Sequence, residues 1–364
     1  TVLTPSQKPS TKICGRLPSS ISQSSRLNYH FVETEPLMAT KTYIQAIAEA
    51  TIEEMERDKS VFTMGEDLRH SVYGATAGLV ERFGEDRVLD TPLSENGFFG
   101  AALGASLCGM RPIVETVTSF LWVGMDQLIS QAAKMRYMFG GQAELPVTFR
   151  VRMFYARGAS AHHSDRNYPV FMNTPGLKII CPSNAYDAKG LMKTAVRDND
   201  VCLLFEDGIA ISSRTEVPDN ADLPNGELLV PFGVANIVQP GSDVTIVGIA
   251  GGVQHAIDAA KVLEAEGVSA EIIDPRTLVP LDTETILKSV AKTGRLVVVD
   301  PAHKMCSAGS EIAAIVAQEG FWDLQAPIQV VASEQINVPY SPALEPLIYP
   351  TPEKVVSAIR TVLG

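Results

Sequence analysis

Three side chains stand where the surrounding residues favour chemistry, and each also has a plainer reading. His163 lies in Gly158-Ala159-Ser160-Ala161-His162-His163-Ser164, a small-residue loop ahead of Pro169. Loops of that kind carry function more often than regular elements do, and an imidazole near neutrality both takes and gives a proton. Its neighbour His162 is solvated or a second contact, and His70 and His303 read as surface or capping residues. Glu95 follows Pro92-Leu93-Ser94 and precedes small residues from Gly97 onward. On its own, that placement reads as an acid at the positive end of a helix. Phe120, in Ser119-Phe120-Leu121-Trp122, offers a flat apolar face that suits a flat heterocycle and excludes water, or else packs in a core. Asp198, after the helical run that ends at Val196, reads as a turn residue.

Generic catalytic signatures are missing: the sequence has no GxSxG elbow, Walker loop, HExxH pair or full dinucleotide fingerprint. Gly251-Gly252 reads as a tight turn between strand and helix rather than a phosphate cradle. A net charge of -12 opposes nucleic acid or an anionic membrane as partner. No apolar run is long enough to cross a bilayer. The 364 residues, 45% of them apolar, are enough for two or three domains with real cores. Five cysteines, scattered singly and without metal-ligand spacing, read as reduced thiols in a reducing compartment, the cytoplasm. Residues 1–37 hold Lys8, Lys12, Arg16 and Arg26, with no acid through residue 32 and many Ser, Thr and Pro. They are expected to be a disordered leader or extension. As an organelle transit segment they would move the compartment to the mitochondrial matrix or a plastid.

The elements that must position these residues follow from periodicity. Ile44, Ile47, Ala48, Thr51 and Met55 repeat at helical spacing and stop before Asp58. Strands are expected at Ser60–Met64, Pro112–Thr116, Val147–Val151, Leu177–Cys181 and Val201–Phe205, with helices at Gly100–Cys108, Gln127–Phe139 and Ala185–Val196. A second series has strands at Val244–Ile249, Ala270–Ile273, Leu296–Val299 and Ile328–Ala332, with helices between them and a last helix opening at Thr351-Pro352-Glu353. Strands alternating with helices imply α/β units with parallel sheets covered on both faces.

Longer motifs, in order, resemble one family. Met64-Gly65-Glu66-Asp67, Phe83-Gly84-Glu85-Asp86-Arg87-Val88 and Asp90-Thr91-Pro92-Leu93-Ser94-Glu95 look like the pyrimidine-binding domain of transketolase-like enzymes. More closely, they are similar to β subunits of pyruvate, branched-chain 2-oxo-acid and acetoin dehydrogenases. The likeness continues through Asp126-Gln127, Arg136-Tyr137, Gly140-Gly141, Thr174-Pro175-Gly176-Leu177-Lys178 and Cys181-Pro182-Ser183. In the second series it includes Ile273-Asp274-Pro275-Arg276-Thr277-Leu278, Pro280-Leu281-Asp282 and Pro339-Tyr340. The resemblance implies two consecutive parallel-sheet α/β domains. A pyrimidine-binding domain over residues 38–213 and a transketolase-type C-terminal domain over 234–364 would be joined by a linker over 214–233.

That likeness also assigns roles. Glu95 would set its carboxylate against the pyrimidine ring nitrogen of thiamine diphosphate and share a proton there, which helps the cofactor form its C2 carbanion. Glu66 would join it in the cofactor site, Phe120 would stack on the pyrimidine, and His163 would orient a 2-oxo-acid carboxylate and exchange protons. Asp198, with carbonyls near Ala195 and Val196, overlies a loop that in some relatives binds a monovalent cation such as K+. The family usually has Gln where this chain has Asp165. The superfamily's Mg²⁺ motif, Gly-Asp-Gly followed by an Asn pair, is absent. Mg²⁺ needs near-octahedral oxygen ligands around the diphosphate, so the resemblance implies an α-type partner that holds that end, in an α2β2 assembly. The expected reaction is decarboxylation of a small 2-oxo acid, or cleavage of acetoin, with transfer of the acyl group to a lipoyl-bearing E2 core. A transketolase- or synthase-type half enzyme and a silent scaffold are the alternatives.

Overall fold

The protein is represented by a computed structural model that describes residues 38–364 apart from 156, 157, 221, 222 and 224. The expected leader, residues 1–37, lies outside the described residues.

After β1 (Met38–Thr42) the chain enters α1 (Tyr43–Arg57), which opens on a reciprocal cap. The Thr42 hydroxyl accepts from Gln45 N at 3.2 Å, and the Gln45 side chain accepts from Thr42 N at 2.9 Å. Alternation follows: β2 (Val61–Gly65), α2 (Leu79–Phe83), β3 (Val88–Asp90), α3 (Glu95–Leu107), β4 (Arg111–Val117), α4 (Ala133–Met138), β5 (Thr148–Met153), α5 (Tyr168–Met172), β6 (Lys178–Ile180), α6 (Ala185–Arg197) and β7 (Cys202–Asp207). The central strands β2, β5 and β7 are buried at every residue, as strands covered on both faces must be. Next comes β8 (Arg214–Pro218), which pairs antiparallel with β1, so part of the 214–233 segment forms a small sheet.

The second series runs β9 (Asn236–Gln239), β10 (Val244–Gly248), α7 (Gly252–Glu264), β11 (Ala270–Asp274), β12 (Thr277–Val279), α8 (Thr283–Thr293), β13 (Leu296–His303), α9 (Ala308–Glu319), β14 (Gln329–Ser333) and α10 (Pro352–Leu363). The Thr351 hydroxyl caps α10 by accepting from Lys354 N, with Pro352 in the first turn.

Two main sheets result. One has seven strands in the order β12-β6-β7-β5-β4-β2-β3, the other five in the order β14-β13-β10-β11-β9. Both are parallel except at one edge each, where β12 and β9 run antiparallel. The α/β class with two successive parallel sheets is therefore present. Strand β12 comes from the second series yet completes the first sheet, with Thr277 opposite Ile180. One apolar core joins both sheets, holding Phe149, Val151 and Phe205 of the first with Val247, Ile273 and Val298 of the second. The single helix expected over Gln127–Phe139 is instead a π-helical stretch at Asp126–Ala132 followed by the short α4. The π-helical stretch is seven residues long, too short for apolar spacing alone to separate the two windings.

Candidate active site

Parallel sheets bind ligands outside the carboxyl ends of their strands, and the neighbouring strands β3, β2, β4 and β5 deliver the candidate residues there. Glu66 follows the last residue of β2, and Glu95 opens α3 just beyond β3. Phe120 lies in a 3₁₀ turn, Thr118–Trp122, directly after β4. His163 closes the 3₁₀ turn Ala161–His163 in the loop that leaves β5. Gly65 allows the turn into Glu66, since a Cβ there would stand 2.7 Å from the Glu115 carbonyl oxygen on the adjacent strand.

Glu66 and Glu95 form one acid pair. Glu95 is only 7% exposed. Burial first, then the charges of Glu95 and Asp67, push the Glu66 carboxyl up to about 7. Its Oε1 is buried and has no hydrogen-bond partner among the described residues. A buried acceptor without a partner costs free energy, so this oxygen marks a place where a polar group is wanted. Tyr73 lies beside the pair: burial, then the charges of Glu115 and Glu66, raise its phenol above the ordinary value.

The shift of Glu66 makes stability depend on pH with a definite sign. The folded group titrates near 7 and the unfolded one near the ordinary 4.5, so between those values the folded chain holds the extra proton. Stability contributed here is full at low pH and declines as pH rises towards 7. Glu66→Gln should therefore stabilise the chain more at pH 8 than at pH 5, relative to the parent. Urea unfolding at the two pH values checks this, and an equal difference at both would contradict it.

Phe120 and His163 also meet. Their rings are edge to face with centroids 5.3 Å apart, and Phe154 packs edge-on against the same imidazole at 6.1 Å. The Nδ1 of His163 lies 3.3 Å from the Ala159 carbonyl oxygen. A carbonyl only accepts, so Nδ1 is the donor in this contact, and Nε2 is the ring nitrogen left for a substrate. Phe154 in turn contacts Tyr73 at 5.6 Å, so an aromatic wall runs from the acid pair to the imidazole. His162 and His70 are exposed, and His303 Nδ1 is 2.7 Å from the Glu334 carbonyl oxygen.

Asp198 lies elsewhere, behind β6. Its two carboxylate oxygens each accept from the Lys178 ammonium at 2.6 Å. The Arg111 guanidinium donates to the carbonyls of Val196 and Asp198 at 2.9 and 3.0 Å. Side-chain cations thus meet the Val196 carbonyl and both kinds of Asp198 oxygen.

The geometry can now be set beside known proteins. The transketolase pyrimidine-binding domain matches residues 39–210 and the transketolase C-terminal domain residues 233–355. The beta subunit of acetoin:2,6-dichlorophenolindophenol oxidoreductase from Cupriavidus necator is 45% identical over 340 residues, spanning 90% of this chain and 98% of that one. The pyruvate dehydrogenase E1 component subunit beta of Rickettsia felis is 41% identical, over 88% of this chain and 98% of its own length. The 2-oxoisovalerate dehydrogenase subunit beta of Bacillus subtilis is 40% identical, over 89% and 98%. The chain belongs to the transketolase-like β-subunit family of acetoin and 2-oxo-acid dehydrogenases. A solved structure titled split gene transketolase, inactive beta4 tetramer, has the same fold, with a TM-score of 0.71, 21% identity and coverage of 89% of this chain and 99% of that one.

One charged cluster of this β-subunit-family chain corresponds to no sequence motif. Beneath the acid pair, Arg150 on β5 is fully buried between Glu115 on β4 and Glu206 on β7, with contacts of 2.8 Å to each. A second contact to Glu206, at 3.2 Å, makes that pair a fork. The signal was available: each charge interrupts a strand of buried apolar residues, and a charge placed there must find a partner.

Proposed function

We propose that this chain is the β-type half of a thiamine-diphosphate enzyme. With an α-type chain, in an α2β2 assembly, it acts on a small 2-oxo acid or acetoin and passes the acyl fragment to a lipoyl group of a second component. The observation that carries this reading is the Glu66–Glu95 pair: two carboxyls at one sheet edge, one held near neutrality, with a buried oxygen that lacks a partner. Such a pair suits a basic heterocycle that needs a proton held beside it, and the half-buried Phe120 ring suits its flat face. The residues fit the pyrimidine end of the cofactor.

Bound here, thiamine diphosphate would supply a nucleophilic ring carbon and a cationic ring that serves as an electron sink for the breaking of a carbon–carbon bond beside a carbonyl. The protein's own tasks are more local. Glu95 keeps a negative oxygen against the ring nitrogen and so holds a proton there. Glu66 stays half protonated near neutral pH and buffers that position. Phe120 excludes water from the ring face, and His163 in its doubly protonated form would donate from Nε2 to a substrate carboxylate or to the oxygen that gains charge. Mg²⁺ and the diphosphate fall to the α-type chain, because this sequence lacks the Gly-Asp-Gly and Asn-pair motif for near-octahedral oxygen ligation.

Calorimetric titration with thiamine diphosphate and Mg²⁺ tests the division of labour. No saturable binding is expected to this chain alone, and saturable binding is expected once the α-type chain is added. Tight binding to the isolated chain would overturn the proposal.

A further inference from the structure

Of the three residues after Ser164, the outer two, Asp165 and Asn167, are tied to one and the same turn. Asp165 Oδ2 accepts from the indole Nε1 of Trp122 at 2.9 Å. Asn167 Oδ1 accepts from the Thr118 hydroxyl at 2.7 Å, and its Nδ2 donates to the Thr118 carbonyl at 2.7 Å. Thr118 and Trp122 are the two ends of the 3₁₀ turn that carries Phe120. The histidine loop is therefore fastened to both ends of the turn whose central ring touches the imidazole.

Arg166, between them, closes the loop across its base. Its guanidinium donates to the Phe154 carbonyl at 2.9 Å, before the loop, and to the Ser164 carbonyl at 2.8 Å, after His163. It also donates to the Tyr349 hydroxyl at 3.3 Å and lies 4.5 Å from that ring's centre. Tyr349 belongs to the second series, which grips the other end of the loop as well: Gly158 N donates to Glu345 Oε2 at 3.1 Å. Gly158 has φ +61°, and a Cβ there would stand 3.2 Å from the Tyr340 carbonyl oxygen. Arg166 and Asn167 are buried, where a misplaced polar group is expensive, so these ties are hard to break singly.

We propose that Asp165, Arg166 and Asn167 are positioning residues that fix the His163 ring against Phe120, with Tyr349 extending their hold into the C-terminal half of the chain. The proposal rests on the reading of His163 as the proton-exchanging residue. Asp165 then acts through Trp122, orienting the histidine rather than meeting substrate. A reacting group displaced by about 1 Å can cost up to about a hundredfold in rate, so loosening one of three ties should cost less.

The test uses the assembled pair with the α-type chain and four variants: Asp165→Ala, Asp165→Asn, His163→Ala and the double variant Asp165→Ala with His163→Ala. Asp165→Ala is expected to lower kcat/KM about tenfold and to raise hydrogen–deuterium exchange in the peptide containing residues 158–167. Asp165→Asn keeps an oxygen for the indole and should stay within about twofold of the parent in both readouts. In the His163→Ala background, Asp165→Ala should cost nothing further, because the group being positioned is already gone. An additive loss in the double variant, or unchanged exchange in Asp165→Ala, would overturn the proposal. Full activity of His163→Ala alone would instead sink the role given to His163, while the exchange result still reads the hold of the tripeptide.

Discussion

Replacing Glu95 by Gln is expected to lower turnover of the reconstituted pair by about 10²- to 10³-fold, with assembly and melting temperature preserved. The side chains have nearly the same shape, and Glu95 sits in the first turn of α3, where its backbone rather than its charge builds the helix. What the amide lacks is the negative oxygen that holds a proton against a basic ring nitrogen. The substitution also acts on its neighbour. The charge of Glu95 is the second cause of the raised Glu66 titration, after burial, so Glu66 should fall part of the way back towards 4.5 and no further. The pH–rate profile of the residual activity should shift to lower pH accordingly. Initial rates from pH 5 to 9, with size-exclusion chromatography to verify assembly, check both effects. An unchanged rate would mean that the carboxylate has no part in the chemistry.

Arg150→Met should be the most destabilising single substitution among those considered. Arg150 stands between Glu115 and Glu206 in the middle of the seven-stranded sheet. Burial opposes its charge, but Glu206 and then Glu115 outweigh burial and keep it protonated. Burial also raises Glu115, against the pull of Arg150. Remove the guanidinium and the two buried carboxylates keep only the more distant Arg152, 3.9 Å from Glu206, as counter-charge, a loss of about 3–5 kcal/mol. Replacing all three residues by apolar ones of similar volume should cost less than the single change, because most of the desolvation cost leaves with the charges while Arg152 remains. Thermal unfolding of the single and triple variants separates the two cases. A single variant as stable as the parent would mean that water reaches this cluster.

The strands and most helices were legible because burial on both faces writes itself as short apolar runs, and because Thr351/Pro352 is a strong start signal. Strand order was not legible. Nothing in Thr277-Leu278-Val279 says that β12 joins the first sheet, since edge pairing is decided by packing between distant segments. The same holds for β8, which pairs with β1 from within a stretch rich in proline and acids. Motifs around Glu66, Glu95, Phe120 and His163 pointed to four separate loops. Only strand order brings those loops to one edge and sets Glu66 beside Glu95 and Phe120 beside His163. Asp165 stands in sequence only as a departure from the family's usual Gln, whereas in three dimensions its carboxylate accepts from the Trp122 indole. At Asp198 no motif announces the contact that forms, because the ammonium of Lys178 comes from a residue twenty positions away in sequence.

A structure of the pair assembled with thiamine diphosphate and Mg²⁺ measures the point on which the rest depends. The expected result is a Glu95 carboxylate oxygen about 2.6–3.2 Å from the pyrimidine ring nitrogen, with Phe120 facing the ring and the junction between the two chains closing over it. A pyrimidine bound elsewhere, or Glu95 turned into solvent away from the α-type chain, would contradict it.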